Sequence, residues 1–511
     1  DAAGDVQGLA VKCLPLLIYK TSQVDMIVDG LFQMVEKGKD EDRDIASIGL
    51  KTVLADGQPS AGAAVGRLTP RLVSGIGGAK TEVTVCCLEI LHEVLLRFPS
   101  LVTSDLATIK AKLLPELDSP RPATRKRTVT CVGALCGSLS DEDFSSVVAY
   151  LLDQLEASAA KEDAAATATY AQALCAVARS AGFRLGPNLE RLVPAMLRTA
   201  EAALVLGEGG TDVAEHCLLA GEAVVLRCPG DATPYVGDLV GLALRALKHD
   251  PNYADGDDED EDPEAMEDGD EEEDQDGDED DGDGEYSDDD DMSWKVRRAA
   301  TKLLSAVMAA KADCVAELFP RLCPALLARF GEREESVRAD VFATARLLVV
   351  TAAGPGAAQE VKALLRSNLP RIVAALRPQV RSRSPKTRQG AFVVARELAL
   401  ATGPDLAPHL GVFLPAVCKA LTDRQAPSAL RLDVLGFLRA ALDTSPADAV
   451  RPHMQGLSDA VALAAGDRYY KIVAEALRAA AALVRAARPD PAEAAASGVG
   501  ACVKTLHAAV S

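Results

Sequence analysis

The sequence predicts an all-α fold: a superhelical solenoid of repeated helix pairs, interrupted by one long acidic loop. Three observations predict it. Strand signals are nearly absent: aromatic residues make only 4% of the chain, Ala and Leu dominate, and alternating Val/Ile/Thr runs are few. At 511 residues the chain exceeds one compact core, yet no long Gly/Ser or Pro linker divides it into globular domains. A short pattern, a turn followed by Val-Arg/Lys and an Ala-rich helix, also recurs from end to end. A stack in which each unit packs on its neighbours satisfies all three.

The pattern is sharpest where the acidic loop ends. Asp255–Asp291 carries 26 Asp or Glu and no Lys or Arg. Its charge of −26 compares with −22 for the whole chain, so everything else sums to +4. Such a run cannot offset chain-ordering entropy by burying apolar surface, and it is predicted to be disordered. It stops at Met292-Ser293-Trp294-Lys295-Val296-Arg297-Arg298-Ala299-Ala300. Ser293 is expected to cap a helix there. Val296, Ala300, Leu303 and Val307 form a buried stripe, and Lys295, Arg298 and Lys302 fall on another face.

Each repeat is anchored on the residue just inside its second helix. The anchors are Val6, Ile45, Val83, Thr124, Thr169, Val213, Val296, Val337, Thr387, Leu430 and Ile472. Their successive gaps are 39, 38, 41, 45, 44, 83, 41, 50, 43 and 42, and without the 37 acidic residues the outlier becomes 46. That is the period of HEAT and armadillo helix pairs; leucine-rich, tetratricopeptide and ankyrin units are shorter. First helices are expected to end in an apolar-Pro-apolar step, as at Leu113-Leu114-Pro115, Leu192-Val193-Pro194, Leu322-Cys323-Pro324, Leu369-Pro370 and Phe413-Leu414-Pro415. Second helices open after an acidic or small polar residue, as at Asp44-Ile45, Asp212-Val213 and Glu335-Ser336-Val337. A basic residue follows within about a turn: Lys12, Arg125, Arg297, Arg338, Arg388, Arg431 or Lys471. This Asp/Arg ladder favours HEAT over armadillo. The Thr169 repeat is the weakest, because Ala159–Ala168 is alanine-rich and poorly patterned. The chain opens at Asp1 without Met, and both ends read as cut: Ala2–Tyr19 as a second helix without its partner, Val499–Val510 as a first helix without its successor. The divisions expected are residues 1–253 as N-terminal repeats, 254–292 as the acidic loop within a repeat, and 293–511 as central repeats.

No pattern of catalysis or cofactor binding is present, and no enzyme activity, cofactor or metal is expected. The six histidines are scattered, none lies in H-E-x-x-H, and there is no C-x-x-C. The 12 cysteines, such as Cys13, Cys131, Cys175 and Cys217, sit in apolar helix patterns and read as small core residues in a reducing compartment. Gly75-Ile76-Gly77-Gly78 and Gly207-Glu208-Gly209-Gly210 miss the phosphate-loop and dinucleotide spacings and read as turns between helices. In the acidic loop, Asp281 stands where Asp276-Asp278-Asp280 would require glycine for a calcium loop. There is no leader and no apolar run of 18 residues, so no membrane association is expected.

The acidic loop reads either as a solvated spacer or as an electrostatic arm for a basic partner or for the solenoid's own basic face. Ser287, before Asp288-Asp289-Asp290, is a candidate phosphorylation site, though one phosphate would change the local charge little. The candidate partner-binding residues lie near the starts of second helices: Arg125, Lys126 and Arg127; Lys295, Arg298 and Lys302; Arg338; Lys386 and Arg388; and Lys471. Second helices line the concave face of such an array, so these residues would face a partner unless they serve the ladder between repeats. A near-neutral solenoid with few exposed aromatics argues against nucleic acid.

Glu285-Tyr286-Ser287-Asp288-Asp289-Asp290-Asp291 followed by Met292–Ala300 resembles the signature of the cullin-associated, neddylation-dissociated proteins. Collinear stretches agree: Leu9–Leu14, Arg43–Val53, Asp250-Pro251-Asn252-Tyr253, Glu332–Phe342, Lys386-Thr387-Arg388-Gln389 and Tyr470-Lys471-Ile472. The likeness spans essentially the whole chain, with alanine-rich departures at Ala159–Ala168 and Ala481–Ala496 and a shortened stretch near Thr351–Glu360. The resemblance implies a HEAT solenoid that wraps an unmodified cullin and its RING-box subunit. It would block the lysine that takes the ubiquitin-like modifier and exchange substrate receptors on the ligase. It implies residence in cytoplasm and nucleus and no homo-oligomer. The chain resembles the family's N-terminal and central part. A nuclear-transport receptor, another HEAT scaffold with an acidic loop, is the alternative.

Overall fold

The computed structural model describes residues 9, 11–14, 16–17, 24–56, 61–78, 80–250 and 292–487. Among these the chain is a HEAT-repeat solenoid without a strand. Its second helices are Asp40–Asp56, Thr81–Arg97, Pro122–Cys136, Ala164–Ala181, Thr211–Arg227, Ser293–Ala310, Glu335–Ala353, Pro385–Thr402, Ser428–Thr444 and Tyr470–Ala487. Val83, Thr124, Val213, Val337, Thr387, Leu430 and Ile472 are the third residues of their helices, and Val296 is the fourth. Ile45 and Thr169 come at the sixth, because those two helices start a turn earlier. In the first of them Asp40, Glu41 and Asp42 fill the opening turn, where carboxylates complement the exposed N–H groups. In the other, Asp163 caps the end by accepting from the Ala166 N–H at 3.0 Å. The alanine-rich repeat is therefore fully formed.

Each second helix packs along the next in one continuous row, whereas the first helices outside them touch one another much less. A stack that is closer along one side curves toward it, so the second helices form the inner face. Small residues permit the approach. A side chain at Gly133 would meet the Ala176 Cβ at 3.1 Å, and one at Gly390 would meet the Phe342 ring at 2.7 Å. The anchors among the described residues are buried, apart from the half-buried Ile45 and Val83. Each aliphatic side chain so covered contributes about 1.5–3 kcal/mol of transfer free energy.

Pro115 follows the end of Leu106–Leu113, as expected, whereas the other prolines of this pattern lie inside or at the start of their helices. Pro194 sits within Leu189–Val205, Pro320 and Pro324 within Val315–Ala328, and Pro415 within Leu410–Thr422. Each removes one backbone hydrogen bond from the interior of its helix. Pro370, at the second position of Leu369–Val380, stands at a helix start instead. It marks a first helix split in two, because Gln359–Ser367 precedes it. That extra segment accounts for the 50-residue gap.

The acidic insertion leaves from the turn between the two helices of one repeat. Val236–Leu247 packs on Ser293–Ala310, which in turn packs closely on Thr211–Arg227. The predicted disorder of residues 255–291, Ser287 with it, lies outside the described residues, as do most of Ala2–Tyr19 and all of Val499–Val510. Gly77 and Gly207, both in turns between helices, take positive φ values of 76° and 65°. Cys131, Cys136, Cys175 and Cys217 are buried, and burial pushes the Cys136 and Cys217 thiols up to about 12. Cys13, by contrast, is exposed.

Candidate interaction groove

The inner face sorts the basic residues by the partner each one finds. The first group ties a second helix to the turn before it. Arg125 Nη1 donates to the Ser119 carbonyl at 2.9 Å, and Arg338 Nη1 donates to the Glu332 carbonyl at 2.7 Å. Both follow their anchor by one residue. Arg43 plays this part in its own repeat, donating to the Val35 and Gly38 carbonyls at 3.1 and 2.9 Å. At the same register Arg431 pairs with Asp467, and the Tyr170 hydroxyl donates to Asp118 at 2.6 Å. Arg388 is half-buried, and its Nε has no hydrogen-bond partner among the described residues.

Arg297 is the most deeply placed of this register. It is 2% exposed, and Glu332 is 5% exposed. Arg297 Nε and Nη2 donate to the two carboxylate oxygens of Glu332 at 3.0 and 3.1 Å. Its Nη1 donates to the His249 carbonyl at 3.1 Å and to Ser293 Oγ at 2.7 Å. Ser293 is thus consumed as a buried acceptor and does not cap its helix, whose N-cap is Met292. Arg333 binds Asp250 at 2.8 Å. Both ends of the acidic insertion are therefore fixed to one buried network. Arg329, 3.7 Å from Glu332, belongs to it too, and burial holds its guanidinium below its ordinary value.

The second group bridges adjacent second helices. Arg127 pairs with Glu89 at 2.8 Å, and Lys51 reaches the same carboxylate from the other side. Arg298 pairs with Asp340 at 2.9 Å, and Lys386 pairs with Glu335. The third group has no ion pair among the described residues: Lys126, exposed, and Lys295 and Lys302, both half-exposed. Lys471 is exposed, with its ammonium 6.0 Å from the Tyr469 ring centroid. The Arg125-Lys126-Arg127 run is thus three different sites: a turn clamp, a free cation and a helix-to-helix bridge.

The sequence reading missed a second set of basic residues, deeper along the same helices. Arg346, Arg396 and Arg439 each lie nine residues after their anchors, Val337, Thr387 and Leu430. Arg478 and Arg485 on the following helix extend the file. Arg346 reaches Glu397 at 3.3 Å, Arg439 reaches Glu475 at 3.5 Å, and Arg485 reaches Asp443 at 2.9 Å. Arg478 shares Glu475 with Arg439. Arg396 is half-buried and has no ion pair or hydrogen bond among the described residues. Its stem lies over Gly436, where a side chain would come within 3.6 Å of Cδ. Three open clefts of about 560, 500 and 420 Å³ run along this part of the face, and Arg396 borders all three. Counting from the anchors would have found this file. The signal lies more than two turns beyond the anchors, outside the first turn where the ladder residues fall.

A repeat array whose inner helices carry an open, part-paired groove has the architecture of a helical scaffold. A family model described as "CAND1-like, TPR repeats" matches residues 405–511, although the gaps there of 43 and 42 residues exceed the tetratricopeptide period of about 34. Cullin-associated NEDD8-dissociated protein 2 of Mus musculus is 41% identical over 96% of this chain, and protein 1 of Arabidopsis thaliana is 37% identical over 96%. The chain belongs to the family of cullin-associated NEDD8-dissociated proteins, and it spans 40% of the length of each of those two relatives. Among solved structures, Kap121p bound to Pho4p overlaps 93% of this chain and 44% of that one, at TM-score 0.48 and 15% identity. So loose a likeness carries no functional inference.

Proposed function

We propose that this chain is the cullin-clasping part of a regulator of cullin-RING ubiquitin ligases. Its inner face would wrap an unmodified cullin with its RING-box subunit, keep the ubiquitin-like modifier off, and promote exchange of substrate receptors with the rest of the protein. The observation that carries this reading is the 41% identity, along nearly the whole chain, to a relative named as cullin-associated. An open groove lined by charged second helices is the physical support. The reading is of a non-catalytic binding protein, monomeric, working in cytoplasm and nucleus without nucleic acid or membrane. No helix of the described residues is long and apolar enough to cross a membrane.

The test is capture of purified cullin with its RING-box subunit, unmodified or modified, on the immobilised chain. Retention of the unmodified complex in preference to the modified one is expected. Equal retention of both forms contradicts the sequestration mechanism. Failure to retain either, with retention of the small transport GTPase instead, would move the chain to the nuclear-transport reading.

A further inference from the structure

We infer that the arginine file Arg346, Arg396, Arg439 and Arg478 is a docking site for an acidic segment of a protein partner, with Arg396 as its unfilled central contact. Of the five arginines, Arg485 included, four take the carboxylates of Glu397, Glu475 and Asp443, and Arg396 takes none. Asp433, which also lines the first cleft, accepts from Gln389 Nε2 at 2.7 Å and keeps its charge, so five arginines stand against four carboxylates. Positive charge is therefore left over, and it is concentrated on Arg396. A half-buried guanidinium has lost part of its hydration and presents five donors in a planar fork, the geometry that a carboxylate matches with two parallel hydrogen bonds. Gly436 lies beneath its stem.

The spacing fits a peptide. Stacked helices lie about 8–10 Å apart, so Arg346, Arg396 and Arg439, at one register on successive helices, repeat at that distance, with Arg478 about a turn away from that register. A chain in the polyproline II conformation rises about 3.1 Å per residue with three residues per turn, which returns every third carboxylate to the same face, opposite successive arginines. Nucleic acid fits less well. The interleaved acids Glu397, Glu475 and Asp443 would repel a strand of unbroken phosphate charge, whereas isolated carboxylates on a peptide fall between them. This inference rests on the inner face being a partner groove, not on the partner being a cullin.

Fluorescence anisotropy with the full chain tests it. The probe is a labelled 20-residue peptide with Glu at every third position among Gly and Ser; its Gln counterpart and a 20-nucleotide single-stranded DNA run in parallel. Binding of the Glu peptide, weakened by salt, is expected, with little binding of the Gln peptide. Arg396→Gln should weaken it about tenfold, the value of one charge-assisted contact, and Arg439→Gln should weaken it less. Lys126→Gln, on the same face but five second helices away, should leave it unchanged. Arg396 holds no ion pair in the folded chain, so the melting temperature of Arg396→Gln should match that of the parent. Unchanged peptide affinity in Arg396→Gln, equal loss in Lys126→Gln, or tighter binding of the DNA than of the Glu peptide would overturn the proposal. Failed cullin capture with intact peptide binding would instead sink the cullin reading alone.

Discussion

Arg297 and Arg396 lie on inner helices of the same stack, two repeats apart, and their surroundings are opposite. Arg297 is almost wholly buried, and each of its three guanidinium nitrogens donates to an oxygen of the chain. Arg396 is half-exposed among other arginines, without an ion pair among the described residues. The difference shows how charge is used in a helical array. A cation whose donors are met inside the fold fixes one repeat to the next. A cation left over on the inner face is available to something outside it. Residue type does not separate the two; the count of partners does.

The largest expected effect is on the buried side. Glu332→Gln leaves Arg297 charged in a site without its counter-ion and should cost about 3–5 kcal/mol in urea unfolding. Replacing both, as Arg297→Met with Glu332→Leu, should recover much of that loss, because the desolvation of both charges is then removed as well. A double variant no better than the single one would mean that the contacts of Arg297 to His249 and Ser293 dominate.

A smaller contrast is expected within one run of three residues. Arg125→Gln removes a charged donor from the Ser119 carbonyl and should cost about 1 kcal/mol. Lys126→Gln touches nothing in the fold and should stay within about 0.5 kcal/mol. Reversing all three residues of Arg125-Lys126-Arg127 together would mix a clamp, a free cation and a bridge, and would blur the comparison.

The acidic insertion should act in the opposite direction, and modestly. Its two ends are already held together by Arg297 and Arg333. Replacing residues 255–291 with a short linker mainly shortens a loop, which is worth about 1 kcal/mol of added stability. A large loss of stability in differential scanning calorimetry would show that the segment contributes packing of its own.

The solenoid was legible because its cause is local. A stripe of apolar residues, a turn and a period of about 42 residues recur, and eight anchors fell at the third or fourth residue of a helix. Ile45 and Thr169 slipped by one turn because extra residues join their helices at the N-terminus, a change the stripe alone does not record. Proline removes a donor and so suggests a helix end, which holds at Pro115; Pro194, Pro320, Pro324 and Pro415 lie inside helices that forgo one bond each. The groove was less legible. Which cation meets which carboxylate depends on neighbours some 35–50 residues away, brought close only by the stack. Ser293 looked like a cap until Arg297, four residues on, was seen to take its hydroxyl. Arg396 carried no local signal beyond its position nine residues after Thr387, and that position matters only once the row of inner helices exists.

The account's central claim is that partner count, not residue type, divides structural from free arginines on the inner face. The most direct measurement is a pair of urea unfolding curves, for Arg297→Gln and Arg396→Gln, against the parent chain. A loss of about 3–5 kcal/mol for the first and of no more than about 0.5 kcal/mol for the second is the predicted result; equal losses, or a larger one for Arg396→Gln, would contradict it.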